Sequence, residues 1–80
     1  MTIQLLNKEG EATLRLSGRL DTATSAKTNS DIEQLLGSAG AIRHLTVDAG
    51  PLEYISSSGL RILLMLAKRF KQFRIVEVNP

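Results

Sequence analysis

Apolar residues along this chain follow two periods in turn. Ala12, Leu14 and Leu16 alternate with Thr13, Arg15 and Ser17, the two-residue period of a strand with one face buried. Thr2 to Leu6 is a strand-like run just upstream. Asn7-Lys8-Glu9-Gly10 between them has turn composition, so the pair predicts a hairpin. Leu45 and Val47 mark a third strand from Arg43 to Asp48, which Ala49-Gly50-Pro51 breaks. Phe73 to Val78, rich in β-branched residues, predicts a fourth. The helical period is weaker. Ile32, Leu35 and Leu36 form an apolar edge, with Ala26 and Thr28 further up, over a helix from about Thr24 to Leu36. Asn29 and Ser30 lower its propensity. Asp21 or Thr22 suits its N-cap, Gly37 its stop, and Ser38 to Ala41 a loop.

A second helix is expected from about Ser58 to Phe70, behind the run Ser56-Ser57-Ser58-Gly59. Ser57 or Ser58 can cap it by accepting a hydrogen bond from a free backbone N–H. No capping box backs this, because Leu60 and Arg61 stand where Glu or Gln would. Gly59 in the first turn permits a close approach by another group. The order β-β-α-β-α-β, with crossover helices, predicts an α/β domain. Strand faces that alternate place both helices on one face of a four-stranded mixed sheet. Residues 1–80 are expected to form a single domain.

The second helix carries Leu60, Ile62, Leu63, Leu64, Met65, Leu66 and Ala67. A helix on one side of a sheet needs one apolar stripe, and these residues occupy nearly its whole circumference. An exposed apolar strip on this helix or on the fourth strand is therefore expected, with self-association to cover it.

Composition narrows the chemistry. Cysteine is absent and His44 is the only histidine, so a zinc shell is excluded and no metal or cofactor is expected. His44 opens the third strand while the serines follow its end, and no Gly-x-Ser-x-Gly is present, which argues against a hydrolase. Asp48 and Glu53 are lone acids. The net charge of +2 is small, and the cluster Lys68, Arg69, Lys71 and Arg74 complements a helix C-terminus, so nucleic acid is not an expected partner. The apolar run from Ile62 to Ala67 is too short to span a bilayer. The chemistry that remains is hydroxyl chemistry at an exposed strand-to-helix turn, with Asp21 and Thr22 at the same end of the molecule and Arg61 in the first helical turn.

The run LTVDAGPLEYISSSGL from Leu45 to Leu60, with Gly18-Arg19-Leu20-Asp21-Thr22 upstream, resembles the STAS family of anti-sigma factor antagonists and their relatives. The resemblance extends from about Ile3 to Pro80. It implies a non-enzymatic, cytoplasmic bacterial regulator that binds an anti-sigma factor with serine kinase activity. Serine phosphorylation at the start of the second helix would release it. Aligned through Ser58-Gly59-Leu60, the phosphorylated position is Ser57, with Ser56 and Ser58 as neighbouring alternatives. The commonest antagonist pattern has Asp immediately before that serine, where this chain has Ser56. The partner-binding set implied is Asp21, Thr22, Ser56, Ser57, Ser58, Gly59 and Arg61. Family members usually continue into another helix and strand, so a shortened or minimal form is expected. The alternative is an unphosphorylated scaffold module in a larger regulatory complex, in which the serines only cap the helix.

Overall fold

The computed structural model describes residues 2–76. Strands β1 (Thr2–Lys8) and β2 (Glu11–Leu20) are followed by helix α1 (Thr22–Ser38). Strands β3 (His44–Asp48) and β4 (Leu52–Ile55), helix α2 (Ser57–Arg69) and strand β5 (Gln72–Val76) complete the order. β1 and β2 form the expected antiparallel hairpin. Its turn is Glu9-Gly10, both with positive φ, as a two-residue hairpin turn with matching twist requires.

β2 pairs in parallel with β3, and β3 with β5, so the sheet runs β1-β2-β3-β5 and is mixed. The α/β class and the two crossover helices are those expected. Among the described residues the strands number five instead of four. β2 does not end at Ser17 but continues through an irregularity at Gly18, where φ is +98°, and its last residues pair with β4. A three-residue pairing after Gly50-Pro51 has no alternation long enough to be read from the sequence. Of the expected fourth strand, Phe73 to Val78, the part to Val76 is β5, and residues 77–78 lie outside the described residues.

Both helices lie on one face of the sheet. Leu14 and Leu16 of β2, Val47 of β3, Ile32 of α1, and Leu63 and Leu66 of α2 belong to one buried cluster. Each buried Leu or Ile contributes ~1.5–3 kcal/mol relative to exposure. α1 starts two residues earlier than expected, because Asp21 caps it. It also runs past Gly37 to Ser38, and Gly40, with φ +82°, makes the left-handed turn in its place. Asn7 anchors that turn by donating from Nδ2 to the Ala39 carbonyl at 2.9 Å.

Candidate functional site

The site is built where two adjacent strands end. Leu20 closes β2 and Ile55 closes β4, and the two are register partners. The residue after each, Asp21 and Ser56, is the N-cap of a helix. The two helix N-termini therefore emerge side by side. A backbone bond from the Ser56 N–H to the Leu20 carbonyl, 2.8 Å, ties them together.

Ser56 caps α2, not Ser57 or Ser58. Its Oγ accepts from the Gly59 N–H at 3.1 Å, and its carbonyl accepts the first helical bond, from Leu60, at 2.8 Å. The helix thus starts one residue earlier than the serine run suggested. Three consecutive serines are interchangeable as caps on paper, and strand pairing at Ile55 decides which one takes the extended conformation. No capping box forms at this helix, as Leu60 and Arg61 implied.

The consequences for the three hydroxyls differ. Ser56 is buried, Ser57 is exposed and Ser58 is half-buried. Gly59 is buried, and its closeness serves packing inside the domain: a Cβ there would lie 2.6 Å from Leu20 Cγ and 3.1 Å from Ile55 Cγ1. Of the seven residues expected at the partner-binding end, Ser56 and Gly59 therefore shape it from beneath. Ser57, Ser58, Arg61, Asp21 and Thr22 present side chains.

Asp21 caps α1. Its Oδ1 accepts from the Thr24 N–H and from the Thr24 hydroxyl, both at 3.0 Å, and its own N–H donates back to Thr24 Oγ1 at 3.1 Å. The Thr24 backbone bond first, then the hydroxyl bond, hold the Asp21 carboxyl below its ordinary pKa. This reciprocal box was legible in principle as Asp21 followed three residues later by Thr24.

Neither helix has an acid in its first turn. The end of the molecule therefore combines two positive dipole ends with Arg61, and Asp21 is the one acid of the set. The amides of Ser57 and Ser58 precede the first intrahelical bond, which the Leu60 N–H donates, so they have no partner within the helix ladder. Between the helices lies a hollow of about 180 Å³, lined by Ser25, Asn29, Ser58, Arg61 and Met65 among others. Ser25 and Asn29, one turn apart on α1, were not singled out from the sequence. Only the pairing of the two helices turns them toward Ser58. Beneath the site, the Arg19 guanidinium stacks over Tyr54, 4.6 Å from the ring centroid, a contact set by their register pairing.

His44 lies at the amino end of β3 beside Glu11, 3.8 Å away, and is not part of the serine turn. Asp48 accepts from the Gly50 N–H and approaches Arg15 at 3.7 Å, a turn-forming role. Arg69 at the end of α2 pairs with Glu33 of α1. Among the described residues no group of acids and histidines is arranged to hold a metal, and no helix is long and apolar enough to cross a membrane.

Comparison with known proteins gives the same fold. Residues 3–80 match a family model described as Mlab, STAS domain. An anti-sigma factor antagonist from Mycobacterium paratuberculosis superposes with a TM-score of 0.80 at 22% identity, covering 99% of this chain and 68% of that one. The unphosphorylated anti-sigma factor antagonist SpoIIAA gives 0.73 at 19% identity, covering 99% and 76%. The phosphorylated form of SpoIIAA from Bacillus gives 0.68 at 20% identity, covering 94% and 70%. At these identities the likeness is one of fold.

Proposed function

Because the chain belongs to the STAS domain family, we propose that it is an anti-sigma factor antagonist-like binding module. Its Ser57 turn docks on a kinase-type anti-sigma factor, and phosphorylation of Ser57 by that partner ends the contact. The observation that carries this reading is the division of labour between neighbouring serines: the buried Ser56 caps the helix while the Ser57 hydroxyl is exposed. A phosphate on Ser57 leaves the cap untouched.

The physics favours release without unfolding. A phosphate adds about −1.5 to −2 charges and three acceptor oxygens. At a helix N-terminus that charge is welcome, since free N–H groups and the dipole's positive end stabilise it. The domain therefore keeps its fold. A partner docked over the turn meets new bulk and a new charge that it must desolvate. Ser56 in place of the Asp common among antagonists still supplies the acceptor for Gly59 and removes one negative charge from the docking end. That leaves Arg61 as the dominant side-chain charge beside Ser57 and favours an acidic docking segment.

Incubation with a cognate anti-sigma kinase and ATP, followed by intact-mass and fragment analysis, tests this. One added phosphate, located on Ser57, is expected. Stable binding to the kinase with no phosphate added supports instead an unphosphorylated scaffold, in which the serines only cap the helix.

A further inference from the structure

The sheet face turned away from both helices is covered by no other element among the described residues. Strand alternation sets what it presents. Leu45 and Val47 of β3 are buried toward the helices, so His44 and Thr46 point to the open side. Their register partners do the same: Glu11 and Gln72 beside His44, Thr13 and Arg74 beside Thr46. These six residues line a hollow of about 460 Å³. It lies at the amino ends of β2, β3 and β5, the end of the sheet opposite the Ser57 turn. Two acids stand on this part of the face, and each has a base beside it: Asp48 approaches Arg15, and Glu11 lies 3.8 Å from His44. Thr13, Thr46, Gln72 and Arg74 make no side-chain hydrogen bond or ion pair with any described residue. The hollow therefore gathers a guanidinium fork, two half-buried threonine hydroxyls and an amide, all with unused donors.

We propose that this hollow binds a small hydroxylated carboxylic acid, with the carboxylate held by Thr13, Thr46 and Arg74. Geometry suits the carboxylate. Neighbouring strands lie ~4.8 Å apart and a hydroxyl donates over ~2.7–2.8 Å, so one oxygen reaches both threonine hydroxyls. The second oxygen then turns along the same row toward the Arg74 guanidinium, whose planar N–H groups match it. Charge complementarity selects a single negative charge. Arg74 is the one cation of the hollow without a partner among the described residues, and Glu11 shares the space. A phosphate, with about −1.5 to −2 charges, exceeds what Arg74 neutralises and is repelled by Glu11. The next row, His44 between Glu11 and Gln72, lies ~6.6 Å along the strands and offers acceptors and donors to hydroxyl groups. A volume of about 460 Å³ is that of a small-molecule site. The inference does not rest on the antagonist reading, and its test uses no anti-sigma factor.

Titration of the isotope-labelled chain with sodium gluconate, followed by amide chemical shifts, tests this. Sodium phosphate and sodium chloride at matched ionic strength form separate arms. Gluconate is expected to shift the Thr13, Thr46, Gln72 and Arg74 amides and to saturate with a Kd in the low-millimolar range or below. Arg74→Gln is expected to weaken binding about ten-fold or more, and Thr46→Val about three- to ten-fold. Both changes lie on the open face and are expected to leave the circular dichroism unchanged. Arg15→Gln removes a cation of the same face outside the hollow and is expected to change the affinity by less than about two-fold, which separates a site from general attraction. Shifts that fail to saturate, that chloride reproduces, or that fall on the Ser57 turn overturn the proposal. So does an affinity unchanged in Arg74→Gln, or phosphate binding more tightly than gluconate.

Discussion

Gly59 of α2 sits directly on Leu20 of β2: an added Cβ would lie 2.6 Å from Leu20 Cγ. Leu20 is fully buried and its Cγ is a branch point, so it has little room to yield. Helix propensity alone favours Ala over Gly by ~1 kcal/mol, but overpacking a closed site costs ~1–3 kcal/mol. Gly59→Ala is therefore expected to lower the midpoint of urea unfolding. A variant more stable than the parent would show that α2 does not lie this close to the β2 terminus.

Ser56 and Ser57 separate structure from signalling. Ser56→Ala removes the acceptor for the Gly59 N–H and is expected to cost ~1 kcal/mol. Ser57→Ala touches no hydrogen bond that holds the domain and is expected to stay within ~0.5 kcal/mol of the parent. Equal losses at both positions, measured by chemical denaturation, would place the cap wrongly.

The fold was readable where the hydrophobic period was long. β1, β2, β3 and both helices follow from alternation or from apolar edges, and the exposed strip expected on α2 is there in Leu60 and Leu64. β4 was not readable, because Leu52–Ile55 earns its strand only by pairing with the end of β2, a long-range contact. The same cause hid the identity of the cap. Serine chemistry permits Ser56, Ser57 and Ser58 equally, and the bond from the Ser56 N–H to Leu20 selects Ser56. The cap of α1 was legible as Asp21 or Thr22, and the bonds to Thr24 select Asp21. Ser25 and Asn29 were not legible, since their place opposite Arg61 depends on how α1 and α2 pack.

Asp21 gives the domain a defined acid dependence. Its carboxyl is held below the ordinary value of 3.8 by the Thr24 bonds, so the fold favours the charged form. That contribution is fully present above the unfolded pKa and is lost as pH falls through the lower folded value. Asn is also a good N-cap, so Asp21→Asn isolates the charge. The stability gap between parent and Asp21→Asn is expected to be widest near neutral pH and to close in strong acid. A gap that widens on acidification would contradict the assignment.

Arg61 is exposed in the first turn of α2, where a cation opposes the dipole by ~0.3–1 kcal/mol. Arg61→Ala is expected to leave thermal stability unchanged or slightly raised. Binding to an anti-sigma factor is expected to weaken, with a shallower salt dependence, because one charge at the docking end is gone. Loss of stability together with unchanged binding would assign Arg61 to the fold.

The central claim is tested most directly by titrating the chain, as parent and as Ser57→Asp, against a cognate anti-sigma factor in the calorimeter, with thermal unfolding of both measured in parallel. Ser57→Asp is expected to unfold at or above the parent's temperature and to bind at least ~ten-fold more weakly, a difference of ~1.4 kcal/mol. Binding as tight as the parent's, by a variant equally well folded, would contradict the account.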